Sequence, residues 1–148
     1  MLRVVMTVLT LSVTAHDAAA QGLPNRRAMV QVMPGLWVDE TASTADLATI
    51  RGHISGASKR VQQELGAAQA VEWWICTTTA CDTANTLTAR GMTYGASLIT
   101  LNSKGAADRG AYTHELAHAT LHGALPIGGM LSKALPLWFD EGVAVLVS

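Results

Sequence analysis

The chain has 148 residues, 49% of them hydrophobic and 14% charged, with a formal net charge of −1. That size allows one domain with a real core, and the apolar share excludes a disordered chain. Near-neutral charge with no basic stripe argues against nucleic acid as a partner.

The first twenty residues differ from the rest. Met1-Leu2-Arg3 is a short positive start, Val4 to Val13 is an apolar run, and Ala18-Ala19-Ala20 is a small-residue site. This pattern predicts a signal peptide over residues 1–20, export to the periplasm or medium, and a mature N-terminus at Gln21. The competing reading is an N-terminal core helix or membrane anchor, for which the run is short. No later apolar run is long enough to span a membrane.

Gln21 to Arg27 reads as a loose polar leader. Met29 to Val32 and Leu36 to Asp39 are β-leaning pieces parted by the turn pair Pro34-Gly35. A long amphipathic helix follows. Ser43 or Thr44 can cap it, Asp46 sits in its first turn, and Gly66 is placed to end it. Leu47, Ile50, Ile54, Val61 and Leu65 recur at helical steps and form a core stripe. His53 on this helix reads as structural or solvated.

Val71 to Cys76 is β-branched and aromatic and predicts a strand, with Trp73 and Trp74 packing on opposite faces. Cys76 and Cys81 bracket a Thr-rich loop with four residues between them. In an exported protein that pair predicts a disulfide pinning a local turn, and no further ligands nearby favour a metal. Thr93 to Leu101 reads as a single strand and Asn102 to Gly110 as a polar loop. Helices over Ala111 to about His122 and from about Ala134 onward complete an α+β plan.

The chemistry lies in His114-Glu115-Leu116-Ala117-His118. Side chains at i and i+4 share one helix face, so two imidazoles can close on one ion. Imidazole nitrogens suit zinc, and Glu115 lies where a carboxylate can take a proton from water held by the metal. Such a string arises by chance in roughly one chain in a few hundred of this length. Its small and apolar flanks, Ala111, Leu116, Ala117, Ala119 and Leu121, nevertheless predict a buried helix. Burying two histidines and a glutamate without a partner is costly. Downstream, Asp140 and Glu141 place two carboxylates in an otherwise apolar helix, where a carboxylate wants a cation or several hydrogen bonds. Either could complete a ligand set.

HELAH followed by P-x-W-F-D-E-G-x-A, over residues 111–148, resembles the gluzincin metallopeptidases of the MA clan, in particular exported bacterial members. The resemblance implies a zincin-like domain over residues 21–148, a small mixed sheet packed on an active-site helix with a second ligand-bearing helix. It implies one Zn2+ on His114, His118 and Glu141, with Glu115 as general base and a peptide or protein as substrate. Asp140 then becomes a supporting acid or helix-start residue. His122, a full turn beyond the ion on an unbroken helix, supports the site from behind or caps the helix. The strand over Thr93 to Leu101 would take substrate as an added strand.

The pattern departs from the family in two places. No Tyr or His follows Glu141 to donate to an oxyanion, which leaves Tyr94 as the candidate, since Tyr112 faces away from His114. The chain closes on Val145-Leu146-Val147-Ser148 without a cap, which points to a truncated sequence or a domain completed by a partner. Two other readings stand beside the hydrolase: a non-catalytic exported module that zinc holds together, and a packing domain with chance histidines.

Overall fold

The computed structural model describes residues 25–125 and 135–148, so the expected signal peptide lies outside the described residues. The architecture is α+β. Five strands form one mixed sheet: β1 (Met29–Met33), β2 (Leu36–Asp39), β3 (Glu72–Ile75), β4 (Gly91–Tyr94) and β5 (Leu98–Leu101), in the order β1-β2-β3-β5-β4. β2, β3 and β5 run parallel, while the edge strands β1 and β4 are antiparallel to their neighbours. Five helices accompany them among the described residues: α1 (Thr44–Leu65), α2 (Thr79–Ala84), α3 (Ser103–Ala106), α4 (Arg109–Gly123) and α5 (Leu137–Val147). None is long and apolar enough to cross a membrane.

Helix α1 forms where its signals lie. Ser43 Oγ accepts from the Asp46 N–H while the Asp46 carboxylate accepts from the Ser43 N–H, closing a capping box. Gly66 ends the helix at φ 77°, a left-handed conformation that glycine adopts without a Cβ penalty. Ile50, Ala57 and Val61 bury one stripe in the main core, where α1 packs along α4.

Strand alternation divides the sheet into two faces. Leu36, Val38, Trp73, Ile75, Ile99 and Leu101 join α1 and α4 in the main core. Trp37 and Trp74 face the other side, where they pack with Met29, Leu87 and the disulfide Cys76–Cys81. The two tryptophans of β3 thus point to opposite faces, as alternation requires.

Three segments differ from the sequence expectation. The stretch Thr93 to Leu101 is a hairpin, not one strand. It turns at Gly95, whose φ of 60° is open to glycine, and Tyr94 pairs with Leu98. The Thr-rich loop between the cysteines is half helix: Thr78 caps α2 by accepting from the Cys81 N–H. The Asn102 to Gly110 loop holds α3, capped by Asn102, and α4 starts within it at Arg109, capped by Asp108. Short polar residues compete for backbone groups, so one run can be read as loop or as helix start.

Asp39, at the end of β2, stitches the sheet to the segment after β3. Its Oδ1 accepts from the Thr41 N–H and hydroxyl, and its Oδ2 from the hydroxyls of Thr77 and Thr78. Burial pushes its carboxyl up, but those donors outweigh it and hold the group below 3.8. A depressed folded value contributes stability that is present above the unfolded value and lost as pH falls through the folded one. Asp39→Ala is therefore expected to cost about 3 kcal/mol at neutral pH and to flatten the acid end of the stability curve. Denaturant titrations from neutral pH to pH 3 check both; an unchanged acid slope would refute the assignment.

Candidate metal centre

Helix α4 runs beneath the hairpin edge of the sheet and carries the histidine pair. Leu116, Ala117 and Ala119 bury it, Glu115 and His118 are only 8% and 7% exposed, and His114 is half-buried. Helix α5 returns onto α4 and seats Ala144 and Val147 in the core. Its opposite face differs from the buried helix its composition suggested, because Leu137, Trp138, Val145 and Leu146 are exposed. Asp140 is mostly buried, whereas the Glu141 side chain is 52% exposed.

Three side chains from the two helices converge. His114 Nε2 and His118 Nε2 lie 3.2 Å apart. The Glu141 carboxylate stands 3.6 Å from the first through Oε2 and 3.7 Å from the second through Oε1. Ligand atoms about 2.1 Å from a tetrahedral zinc sit about 3.4 Å from one another, so the spacing and the N2O donor set fit that ion.

A second cluster of metal-type side chains, His118, His122 and Asp140, shares His118. Its distances are shorter: His118 Nδ1 to Asp140 Oδ1 is 2.9 Å and His122 Nε2 to Asp140 Oδ2 is 3.0 Å. Those are hydrogen-bond lengths with the carboxylate as acceptor. With Nδ1–H donated to Asp140, neutral His118 carries its lone pair on Nε2, aimed at His114 and Glu141. The second cluster is a hydrogen-bonded set that meets the first at His118. Burial pushes the Asp140 carboxyl up, but hydrogen bonds from His118 and His122 outweigh it and hold the group below its ordinary value. His122 also places Nδ1 3.0 Å from the Gly95 carbonyl oxygen.

Glu115 leaves α4 toward strand β4. Thr93 Oγ1 lies 2.8 Å from its Oε2 and 2.9 Å from its carbonyl oxygen. Gly91 makes room for the other carboxylate oxygen, since a Cβ there would stand 2.5 Å from Glu115 Oε1. Burial raises the Glu115 carboxyl above its ordinary value; the Thr93 hydroxyl and the nearby histidines oppose the rise and Glu141 adds to it. A cleft of about 360 Å³ opens here, lined by Arg90, Gly91, Asp108, His114 and Glu115 among others.

Thr93 and Gly91 did not stand out in sequence as site residues. The available signal was a glycine inside a strand, which marks close approach of another group. Tyr94, the residue after Thr93 on β4, lines a small cavity with Met92 and Thr100, whereas Thr93 meets Glu115. Tyr112 is fully buried, donates to the Ala106 carbonyl and packs against His53, which gives His53 a structural place.

Comparison with protein-family profiles, with curated proteins and with solved structures finds no match to the chain.

Proposed function

We propose that this chain is a zinc-dependent metallopeptidase with a zincin-like fold, related to the gluzincins, that works in an oxidising compartment outside the cytoplasm. The observation that carries the reading is the convergence of His114, His118 and Glu141 beside a buried carboxylate that is not part of the ligand set. A purely structural metal site has no use for Glu115. The buried disulfide supports the compartment.

Bound zinc supplies Lewis acidity, which polarises a carbonyl and makes water a better acid at neutral pH. The protein supplies the rest. Glu115 Oε2 is held by Thr93, which leaves Oε1, against Gly91, to take a proton from the attacking water and return it to the leaving amine nitrogen. A carboxyl raised by burial is a stronger base once ionised. Strand β4 is the sheet edge beside the cleft, with one side of its backbone unpaired in the sheet, and an extended peptide can add there through main-chain hydrogen bonds.

The test is metal content followed by hydrolysis of a mixed peptide library, before and after removal of metal by a chelator. One zinc per chain is expected, with cleavage that stops on chelation and returns on adding zinc. Zinc with no cleavage would favour the non-catalytic, zinc-stabilised module. A protein that takes up no zinc would sink both readings.

A further inference from the structure

We propose that His122 is a positioning residue for the metal centre, one that sets the Asp140 carboxylate and through it the orientation of His118; the inference rests on the metallopeptidase reading above. His122 stands in the last turn of α4, one turn beyond His118, and neither of its ring nitrogens is available to an ion. Nδ1 is 3.0 Å from the Gly95 carbonyl and Nε2 is 3.0 Å from Asp140 Oδ2. A carboxylate only accepts, so Nε2 is the donor in the contact to Asp140.

Each end has a consequence. At the Nε2 end, Asp140 has both oxygens engaged, Oδ2 by His122 and Oδ1 by His118 Nδ1 at 2.9 Å. With Oδ2 held by His122, rotating the carboxylate would break that contact, so Oδ1 is favoured on His118 Nδ1, which points the His118 Nε2 lone pair at His114 and Glu141. Partners of this kind fix the tautomer and ring angle of a ligating histidine. At the Nδ1 end, Gly95 belongs to the turn of the hairpin whose first strand carries Thr93, the partner of Glu115. One imidazole thus ties together the helix bearing the histidines, the helix bearing Glu141 and the hairpin that holds Glu115.

Two amide substitutions separate the ends, because the side-chain nitrogen of Gln falls near histidine Nε2 and that of Asn near Nδ1. Zinc affinity is read by competition with a chromophoric chelator, and ligand geometry by the visible absorption of the cobalt(II)-loaded protein. Thermal melts of the metal-free proteins establish that each variant folds. His122→Asn, which keeps the Gly95 contact and loses Asp140, is expected to weaken zinc binding by about 10- to 100-fold and alter the cobalt bands. His122→Gln, which keeps a donor to Asp140, is expected to stay close to wild type in both. In an Asp140→Ala background His122→Asn should change nothing further. Equal losses in Asn and Gln, or none in Asn while wild type binds zinc, would overturn the positioning role and leave the metal site standing. A wild-type protein that binds no zinc overturns the metal reading and this inference with it.

Discussion

Glu115→Gln is expected to keep its zinc and lose peptide hydrolysis by roughly two to four orders of magnitude, the usual contribution of a positioned general base. Gln has nearly the same shape, so it fits the pocket beside Gly91 and can still accept from Thr93. It cannot take up the proton. The ligand atoms of His114, His118 and Glu141 are untouched, so metal content should equal that of wild type. Because burial raises the Glu115 carboxyl, the variant is also expected to be no less stable than wild type at neutral pH, where the ionised form is the one burial disfavours. Parallel assays of zinc content, library cleavage and thermal unfolding check the three statements. Equal cleavage by the variant and wild type would remove Glu115 from the reaction.

His118→Ala is expected to have the second large effect, and it differs from His114→Ala in a way that tests the arrangement. Each substitution removes one of two imidazole nitrogens 3.2 Å apart, so each should weaken zinc binding by more than about 100-fold, beyond the loss of a supporting hydrogen bond. Only His118 also donates to Asp140, whose side chain is 15% exposed. Removing it leaves Oδ1 of a largely buried carboxylate without its donor, at a cost of about 2 kcal/mol in the metal-free protein. His114 has no such partner among the described residues, so His114→Ala should leave metal-free stability close to wild type. Unfolding of both variants in the presence of chelator separates the cases. Equal stabilities would mean that Asp140 does not support His118.

Much of this is legible in the chain because it is local. The i, i+4 spacing of His114 and His118 needs only a helix, and their ring nitrogens do meet. Ser43, Asp46 and Gly66 announce the ends of α1 through short-range hydrogen bonds and one backbone angle. Cys76 and Cys81 are near enough along the chain for a disulfide to form across one short segment. The hairpin over residues 91–101 was less legible because small, polar residues carry weak patterning. One positive φ at Gly95, settled by the pairing of Tyr94 with Leu98, turned an expected strand into two.

The roles of Asp140 and Glu141 show where local information ends. They are neighbours on one helix, pointing about 100° apart, and either could have faced the histidines. The choice falls to Ala144 and Val147, which α5 buries in the core. Asp140 is one turn before Ala144 and so shares its face, between His118 and His122; Glu141 is rotated outward and half-exposed, with its oxygens opposite the two Nε2 atoms. The same holds for Thr93 and Gly91, which meet Glu115 only because the sheet lays its edge strand along α4. By itself the sequence determined a helix with two imidazoles and a carboxylate on it, since that follows from 3.6 residues per turn. Which groups hold, orient and crowd those three side chains was decided by the packing of α5 and of the β4–β5 hairpin against α4, where burial of apolar residues sets the rotation and polar partners follow.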